Sequence, residues 1–232
     1  MNTAATDEWA WNQARSDSAF ARWEVADHKD TPGEVLEFLA RDHVEEVLIN
    51  VAHNPSTPAS ALRLLSRHRS IIVRRAVALN TTTPPDVLDF LSRDSDAEVR
   101  VDVAENGCTS PSTLRTLSTH SDRTVRRLVA KNPNTPQEVL LEFVKVEDDD
   151  FRMDVINNPS ASLSTLVAVL DVSDYTSYVA QQELLERIDV YTYTDEELER
   201  AVAERYASSD DVDLTYLSEW SRDLLVGWLT SV

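Results

Sequence analysis

A repeat of 26 residues runs through the middle of the sequence and restricts the fold more than any other feature of the chain. Blocks in the same register follow one another without a gap, and they begin at His28, Asn54, Asn80, Asn106, Asn132 and Asn158. Five blocks are complete, and the sixth ends half-way, near Leu170. Self-similarity at a fixed period of this length is typical of architectures in which each unit stacks on its neighbours.

Each block is predicted to form two short helices. The first helix is expected to begin after a threonine that serves as its N-cap, with a proline next in four of the five blocks at the first helical position. The second helix is expected to end before the asparagine that opens the next block, in a left-handed C-cap conformation. The threonines concerned are Thr31, Thr57, Thr83, Thr109 and Thr135.

Helices of this length are unstable alone, and one pair cannot cover its own apolar stripe, so the blocks must share a core in an all-α helical-repeat solenoid. All five tryptophans lie outside the complete blocks, which predicts helical caps at both ends. The chain is therefore divided into an N-terminal capping helix and half repeat at 1–27, helical repeats at 28–170, and an acidic C-terminal helical cap at 171–232. Three helices are expected in the last segment, at 177–188, 196–206 and 214–229.

The segment from Val125 to Pro136, VRRLVAKNPNTP, followed by Val139 and Leu140, resembles the variant leucine-rich repeat family. The resemblance covers about residues 21–170. It implies a right-handed superhelix of alternating α- and 3₁₀-helices with an interaction surface, and it implies no particular reaction. The repeat is slightly longer here than the family's usual unit, so the second helix could instead be α-helical, as in HEAT-like arrays. The family's cysteine-rich iron–sulfur segment is absent, so no redox role carries over.

Charge and cysteine content narrow the function. With 22 Lys and Arg against 41 Asp and Glu, the net charge of −19 opposes general attraction to nucleic acid or to anionic membranes. A single cysteine, Cys108, excludes an intramolecular disulfide. With no apparent leader or membrane segment, the expected location is cytoplasmic. Residues 54–131 are an exception in charge, because they carry 12 basic against 8 acidic side chains.

Two columns of side chains recur on the second helices. At position 21 of the block, four arginines are expected in the buried arc, with their guanidinium groups paired to Asp96, Asp122 and Asp148 one helical turn earlier or to the corresponding residue of a neighbouring block. Position 22 points away from the core and mixes apolar residues with arginine, as protein interfaces do. The predicted partner-binding residues are Ile49, Arg75, Val101, Arg127 and Met153.

The leading interpretation is a non-enzymatic scaffold that binds a protein. The alternative is nucleic-acid binding by the basic central repeats, with phosphate contacts from Arg67, Arg74, Arg75, Arg93, Arg126 and Arg127. A third hypothesis is a glycosylase-like enzyme, which would need an acidic residue and aromatic residues that converge in a basic groove. The sequence gives no evidence of such a convergence. No catalytic residue, metal site or cofactor is predicted, because the histidines lie outside any ligand-spacing motif.

Overall fold

The computed structural model describes residues 3–146 and 148–169, together with residues 176, 179, 180, 182 and 183. Within that part of the chain there are 13 α-helices and no strand, so the all-α prediction is confirmed. The chain divides into two units, residues 1–134 and residues 135–232. The helices predicted at 177–188, 196–206 and 214–229 lie, apart from four residues, outside the described part.

Helix boundaries follow the sequence repeat. Unit 1 contains α1 (Thr3–Ala14), α2 (Ala19–Asp27), α3 (Gly33–Leu39), α4 (Glu45–His53), α5 (Ala59–Leu65), α6 (Ile71–Leu79), α7 (Pro85–Leu91), α8 (Ala97–Glu105), α9 (Pro111–Leu117) and α10 (Arg123–Lys131). Unit 2 contains α11 (Gln137–Val146), α12 (Asp149–Ile156) and α13 (Leu163–Val169). From α3 onward, equivalent helices begin 26 residues apart, which confirms the predicted helix pair in each block. The second helix of each pair is α-helical, as in the HEAT-like alternative.

The second helices form the spine of unit 1. Helices α2, α4, α6, α8 and α10 pack on one another in that order, whereas neighbouring first helices contact each other far less. Valines four residues apart, such as Val73 and Val77, are fully buried in this spine. The first helices add a buried leucine, such as Leu62 or Leu88, to the same core. Because the first helices lie apart, grooves open between them at the surface.

The threonine that recurs in each block has a different structural role from the predicted N-cap. The hydroxyl of Thr83 donates to the backbone oxygen of Val77, six residues earlier, at 2.6 Å, and Thr31, Thr57 and Thr109 make the same bond. The prediction of N-caps at these residues is therefore wrong. Pro84 itself occupies the N-cap position of α7 in extended conformation, so the threonine lies one residue outside and closes the end of the preceding helix instead.

The asparagines at the start of the blocks form a ladder between repeats. Asn80 donates through Nδ2 to the backbone oxygens of Ala52 at 2.7 Å and Asn54 at 3.0 Å, and its Oδ1 accepts from the Thr82 amide. Asn54, Asn106 and Asn132 make the same bonds to the repeat before each of them. Their backbone is extended rather than left-handed, so that part of the prediction is wrong: Asn80 has φ −69° and ψ 122°. The amide side chain is needed to reach the previous repeat.

Candidate interaction surface

Two arginines at position 21 of the repeat, Arg22 and Arg74, hold consecutive repeats together. Arg74 binds Asp94 of the next repeat in bidentate fashion, with Nε–Oδ2 at 2.7 Å and Nη2–Oδ1 at 2.9 Å. Arg22 binds Asp42 in the same way, 20 residues further along the chain. Both pairs are largely buried. The expected structural role is therefore confirmed for Arg74, but its bonded partner is Asp94 of the next block rather than Asp96 or Asp122.

The carboxyl groups in these two pairs stay ionised more readily than usual. Burial by itself raises the pKa of Asp94, but the hydrogen bonds from Arg74 and from the Asp96 amide, with the charges of Arg74 and Arg100, outweigh it. The pKa of Asp94 therefore lies below its ordinary value. The pKa of Asp42 is lowered for the same reasons, with Arg22 as the bonded cation.

Arg100 occupies the same position but lacks this partner. The residue 20 positions further along is His120 rather than an aspartate. Arg100 donates from Nη1 to the Asp94 backbone oxygen at 2.6 Å, and its buried Nε has no hydrogen-bond partner in the described part of the chain. His120 accepts the Asp122 amide through Nδ1, just as Asp94 accepts the Asp96 amide through Oδ1. The histidine replaces the aspartate as a cap but not as a counter-charge.

The column at position 22, proposed to bind a partner, lies on the second helices and is half-buried rather than fully exposed. Arg75 binds the buried Asp102 of the next repeat, with Nε–Oδ2 at 2.7 Å and Nη2–Oδ1 at 3.2 Å. This hydrogen bond raises the pKa of Arg75. Arg75 therefore has a structural role that the sequence did not predict. The other members of the column, also half-buried, are Ile49, Val101, Arg127 and Met153.

A second surface emerges on the first helices of unit 1. Phe38, Leu64 and Phe90 occupy the same position in three consecutive repeats, and 47%, 44% and 46% of each residue's surface is exposed. Each is followed three residues later by an exposed arginine. We call this surface the basic–aromatic strip, and its members are Trp11, Arg15, Phe38, Arg41, Leu64, Arg67, Phe90 and Arg93.

The local sequence explains why the strip faces outward. In α3 the buried positions are Val35, Leu36 and Leu39, so the helical period turns Phe38 away from the core. Arg41 lies just beyond the end of this helix and donates to the Glu37 backbone oxygen at 3.1 Å. A cation at a helix C-terminus is favourable, so the arginines have a local structural reason. Helix capping does not account for the exposed apolar side chains.

Contacts within the strip cross the boundaries between repeats. The guanidinium of Arg67 lies 5.0 Å from the ring centroid of Phe90, one repeat further along. The ring of Trp11 contacts Phe38 edge-on, with centroids 5.6 Å apart, and Arg15 lies 4.7 Å from the Trp11 centroid. These cation–π and aromatic contacts order the side chains while leaving much of their surface accessible.

Two grooves run beside the strip and are built alike. One, of about 480 Å³, is lined by Ser66, Arg67, His68, Arg74, Phe90, Arg93, Asp94 and Ser95. The other, of about 460 Å³, is lined by Ala14, Arg15, Ser16, Arg22, Phe38, Leu39, Arg41, Asp42 and His43. Their linings correspond at an interval of 52 residues, or two repeats. Each groove contains three arginines, one phenylalanine and one aspartate, so both carry excess positive charge in a chain of net charge −19.

The structure brings together three of the six arginines proposed to contact phosphate. Arg67, Arg74 and Arg93 line the same groove, although Arg74 is bound to Asp94. Arg126 lies outside that groove, and its Nη1 donates to the backbone oxygens of His120 and Ser121. Sequence reasoning missed the exposed apolar residues and Arg15 and Arg41. Comparison of equivalent positions across blocks could have found them, because an apolar residue and an arginine recur there with the same spacing.

The described residues contain no group of three or more His, Cys, Asp or Glu side chains that could hold a metal ion. No helix among them combines the length and the apolar composition required to cross a bilayer.

Comparison with known proteins supports the fold. No protein-family model and no curated protein matches the sequence. A solved structure described as a leucine-rich repeat variant with a novel repetitive protein structural motif is similar, with 24% sequence identity and a TM-score of 0.54. The match covers 94% of this chain and 82% of that one. The chain therefore has the all-α helical-repeat fold of a leucine-rich repeat variant.

Proposed function

We propose that this protein is a non-enzymatic scaffold that binds another protein through the basic–aromatic strip. The observation that carries the proposal is the exposure of Phe38, Leu64 and Phe90 at one position of three consecutive repeats. A row of large apolar side chains at the surface costs solubility and marks interaction sites. Aromatic residues and arginine are also the types enriched where proteins bind one another.

The fold supports the same proposal. Each repeat contacts only its neighbours, so a stack of repeats presents one position of every unit along an extended surface. The strip uses this property, since its members recur at intervals of 26 residues from Arg15 to Arg93. A partner that binds along the strip would contact several repeats at once.

The position-22 column is a second candidate contact surface of the same scaffold. Ile49 and Val101 place apolar atoms on the second helices of unit 1, and Met153 lies on a second helix of unit 2. We rank this face below the strip because its members are half-buried and Arg75 is bound to Asp102. Variants that change one face and leave the other intact separate the two.

The test is affinity capture with three forms of the full chain. A strip variant carries Phe38→Ser and Phe90→Ser, and a matched column variant carries Ile49→Ser and Val101→Ser. We expect a partner captured by the unchanged protein to be lost from the strip variant and kept by the column variant. Thermal melting of each variant checks that the repeats remain folded. Equal capture by the unchanged protein and a folded strip variant would contradict the assignment to the strip.

Nucleic-acid binding is the second candidate function. It is favoured by the position of Arg67 and Arg93 beside Phe90, since single strands bind to arginines and stacked aromatic rings. It predicts retention of a labelled oligonucleotide at about 50 mM salt that falls steeply as salt is added. Absence of retention at that salt concentration would remove it.

A further inference from the structure

We infer that the partner binds through an acidic peptide segment that also carries apolar side chains. In this arrangement, carboxylates of the segment contact the arginines of the basic–aromatic strip, and its apolar side chains enter the grooves beside Phe38 and Phe90. The inference rests on the proposed function, and it adds the chemistry of the partner.

The first argument is the charge of the grooves. The single aspartate in each groove is already bound, Asp42 to Arg22 and Asp94 to Arg74. The strip arginines can therefore bind a ligand, because Arg15, Arg41 and Arg67 form no ion pair with any residue that the structure describes. Arg93 pairs with Asp89 one turn earlier, but both side chains are exposed, and such pairs are weak. The grooves therefore present positive charge to which carboxylates of a partner protein can bind.

The second argument is spacing. One strip arginine occurs per repeat, and the packed second helices set the separation of neighbouring repeats at about 8–10 Å, with the first helices at least that far apart. A peptide in polyproline II conformation advances about 3.1 Å per residue with about three residues per turn, so carboxylates three residues apart lie on one side and would match successive arginines. The two grooves lie two repeats apart, so apolar side chains about six residues apart would reach both. An acidic segment with this pattern fits the strip along its length.

The third argument favours a peptide over a nucleic acid as the ligand of the strip. Leu64 stands in the row between Phe38 and Phe90, and its aliphatic side chain offers no aromatic face on which a base could stack. The same leucine is a good contact for an apolar side chain. The net charge of −19 also repels a polyanion as a whole, whereas a short acidic segment needs only the local field.

The experiment is selection of binding peptides from a displayed library of random 16-residue sequences, with the full chain as the target. We expect enriched peptides to carry Asp or Glu at intervals of about three residues, with Phe, Leu or Ile between them. Synthetic copies should bind more weakly as salt is added. They should also lose at least tenfold in affinity on the double variant Arg41→Glu/Arg67→Glu.

The control has the same change in net charge outside the strip: Arg123→Glu and Lys131→Glu, two exposed residues of α10. This variant should bind the peptides with affinity within about threefold of the unchanged protein. Circular dichroism on both double variants establishes that each remains helical. Should the strip variant unfold, Arg67→Gln alone replaces it and should still weaken binding measurably.

Three outcomes would overturn the inference. Enriched peptides that lack acidic residues, or that bind the folded Arg41→Glu/Arg67→Glu variant unchanged, would reject an acidic partner while leaving the scaffold function intact. A labelled single-stranded 20-nucleotide oligonucleotide that binds more tightly than the peptides and displaces them would favour nucleic acid instead. Failure of the library to yield any binder would count against both the inference and the proposed function.

Discussion

The guanidinium of Arg67 lies over the ring of Phe90, 5.0 Å from its centroid, and the two residues belong to consecutive repeats. Arg67 follows the end of α5, and Phe90 lies in α7. Their contact depends on both repeats having the same length, since one inserted residue would rotate Phe90 to another side of its helix. The constant period of the sequence therefore builds the surface as well as the core.

Removal of one rung of the asparagine ladder should destabilise the stack. Asn80→Ala removes two donors to the preceding repeat and leaves the Thr82 amide without its acceptor. We expect a loss of about 2–3 kcal/mol in the free energy of unfolding, measured by urea denaturation. Asn50→Ala is the control, because Asn50 makes one exposed bond of 3.3 Å to Trp23, and it should cost a few tenths of a kcal/mol. Equal losses in the two variants would contradict the ladder.

The hydroxyl of Thr83 should stabilise the end of the helix that precedes it. Thr83→Val keeps the shape of the side chain and removes the bond to the Val77 oxygen, so we expect a loss of about 1 kcal/mol or more. Thr81→Val at the exposed neighbouring site should be nearly neutral. Thermal denaturation of both variants measures the difference. A Thr83→Val protein as stable as the original would show that this bond contributes nothing.

The ion pair between Arg74 and Asp94 should make stability depend on pH in the acid range. Because the pKa of Asp94 is lowered in the folded protein, its stabilisation is complete above its unfolded value of about 4 and is lost as the pH falls through the folded value. Asp94→Asn should therefore be about 2 kcal/mol less stable at pH 7. The gap should narrow as the pH falls below about 4. A gap that stays constant from pH 7 to pH 2 in chemical denaturation would refute the mechanism.

A carboxylate placed opposite Arg100 should stabilise the protein. His120→Asp restores the residue found at the equivalent sites Asp42 and Asp94, keeps an acceptor for the Asp122 amide, and gives the buried Nε of Arg100 a partner. We expect a gain of about 1 kcal/mol at pH 7, seen as a higher melting temperature.

The matched control for this change is His68→Asp. His68 occupies the same position one repeat before Asp94, but the residue 20 positions earlier is the buried Leu48 rather than an arginine. Without that counter-charge, His68→Asp should be neutral or destabilising. A gain in the control as large as that of His120→Asp would show that the arginine is not the cause.

The helix positions could be predicted from sequence because period and apolar spacing are local properties. The roles of Thr83 and Asn80 could not, because their partners lie six residues back or in another repeat, and either side chain can satisfy several backbone groups. The partner of Arg74 was predicted at position 17 of a block, where Asp96 stands, but it is Asp94 at position 15 of the next block. Choosing between Asp94 and Asp96 needs the packing distance between second helices, which the sequence does not contain.

Prediction of the candidate surface was limited by the helical wheel. The wheel identified position 22 as outward-facing, but it could not show that Arg75 reaches Asp102 of the next repeat. It also could not show how far apart the first helices lie, and that separation opens the grooves beside Phe38 and Phe90. Arg67 and Arg93 were found because they are charged, whereas their apolar neighbours were assigned to no surface.

The most direct test of the account is to map the binding site of a selected acidic peptide by NMR on the full chain labelled with ¹⁵N. The account predicts that, on titration, the largest shifts occur at the amides of Phe38, Leu64 and Phe90 and of the arginines that follow them. Shifts concentrated instead at Ile49 and Val101 on the second helices, with these three residues unaffected, would contradict it.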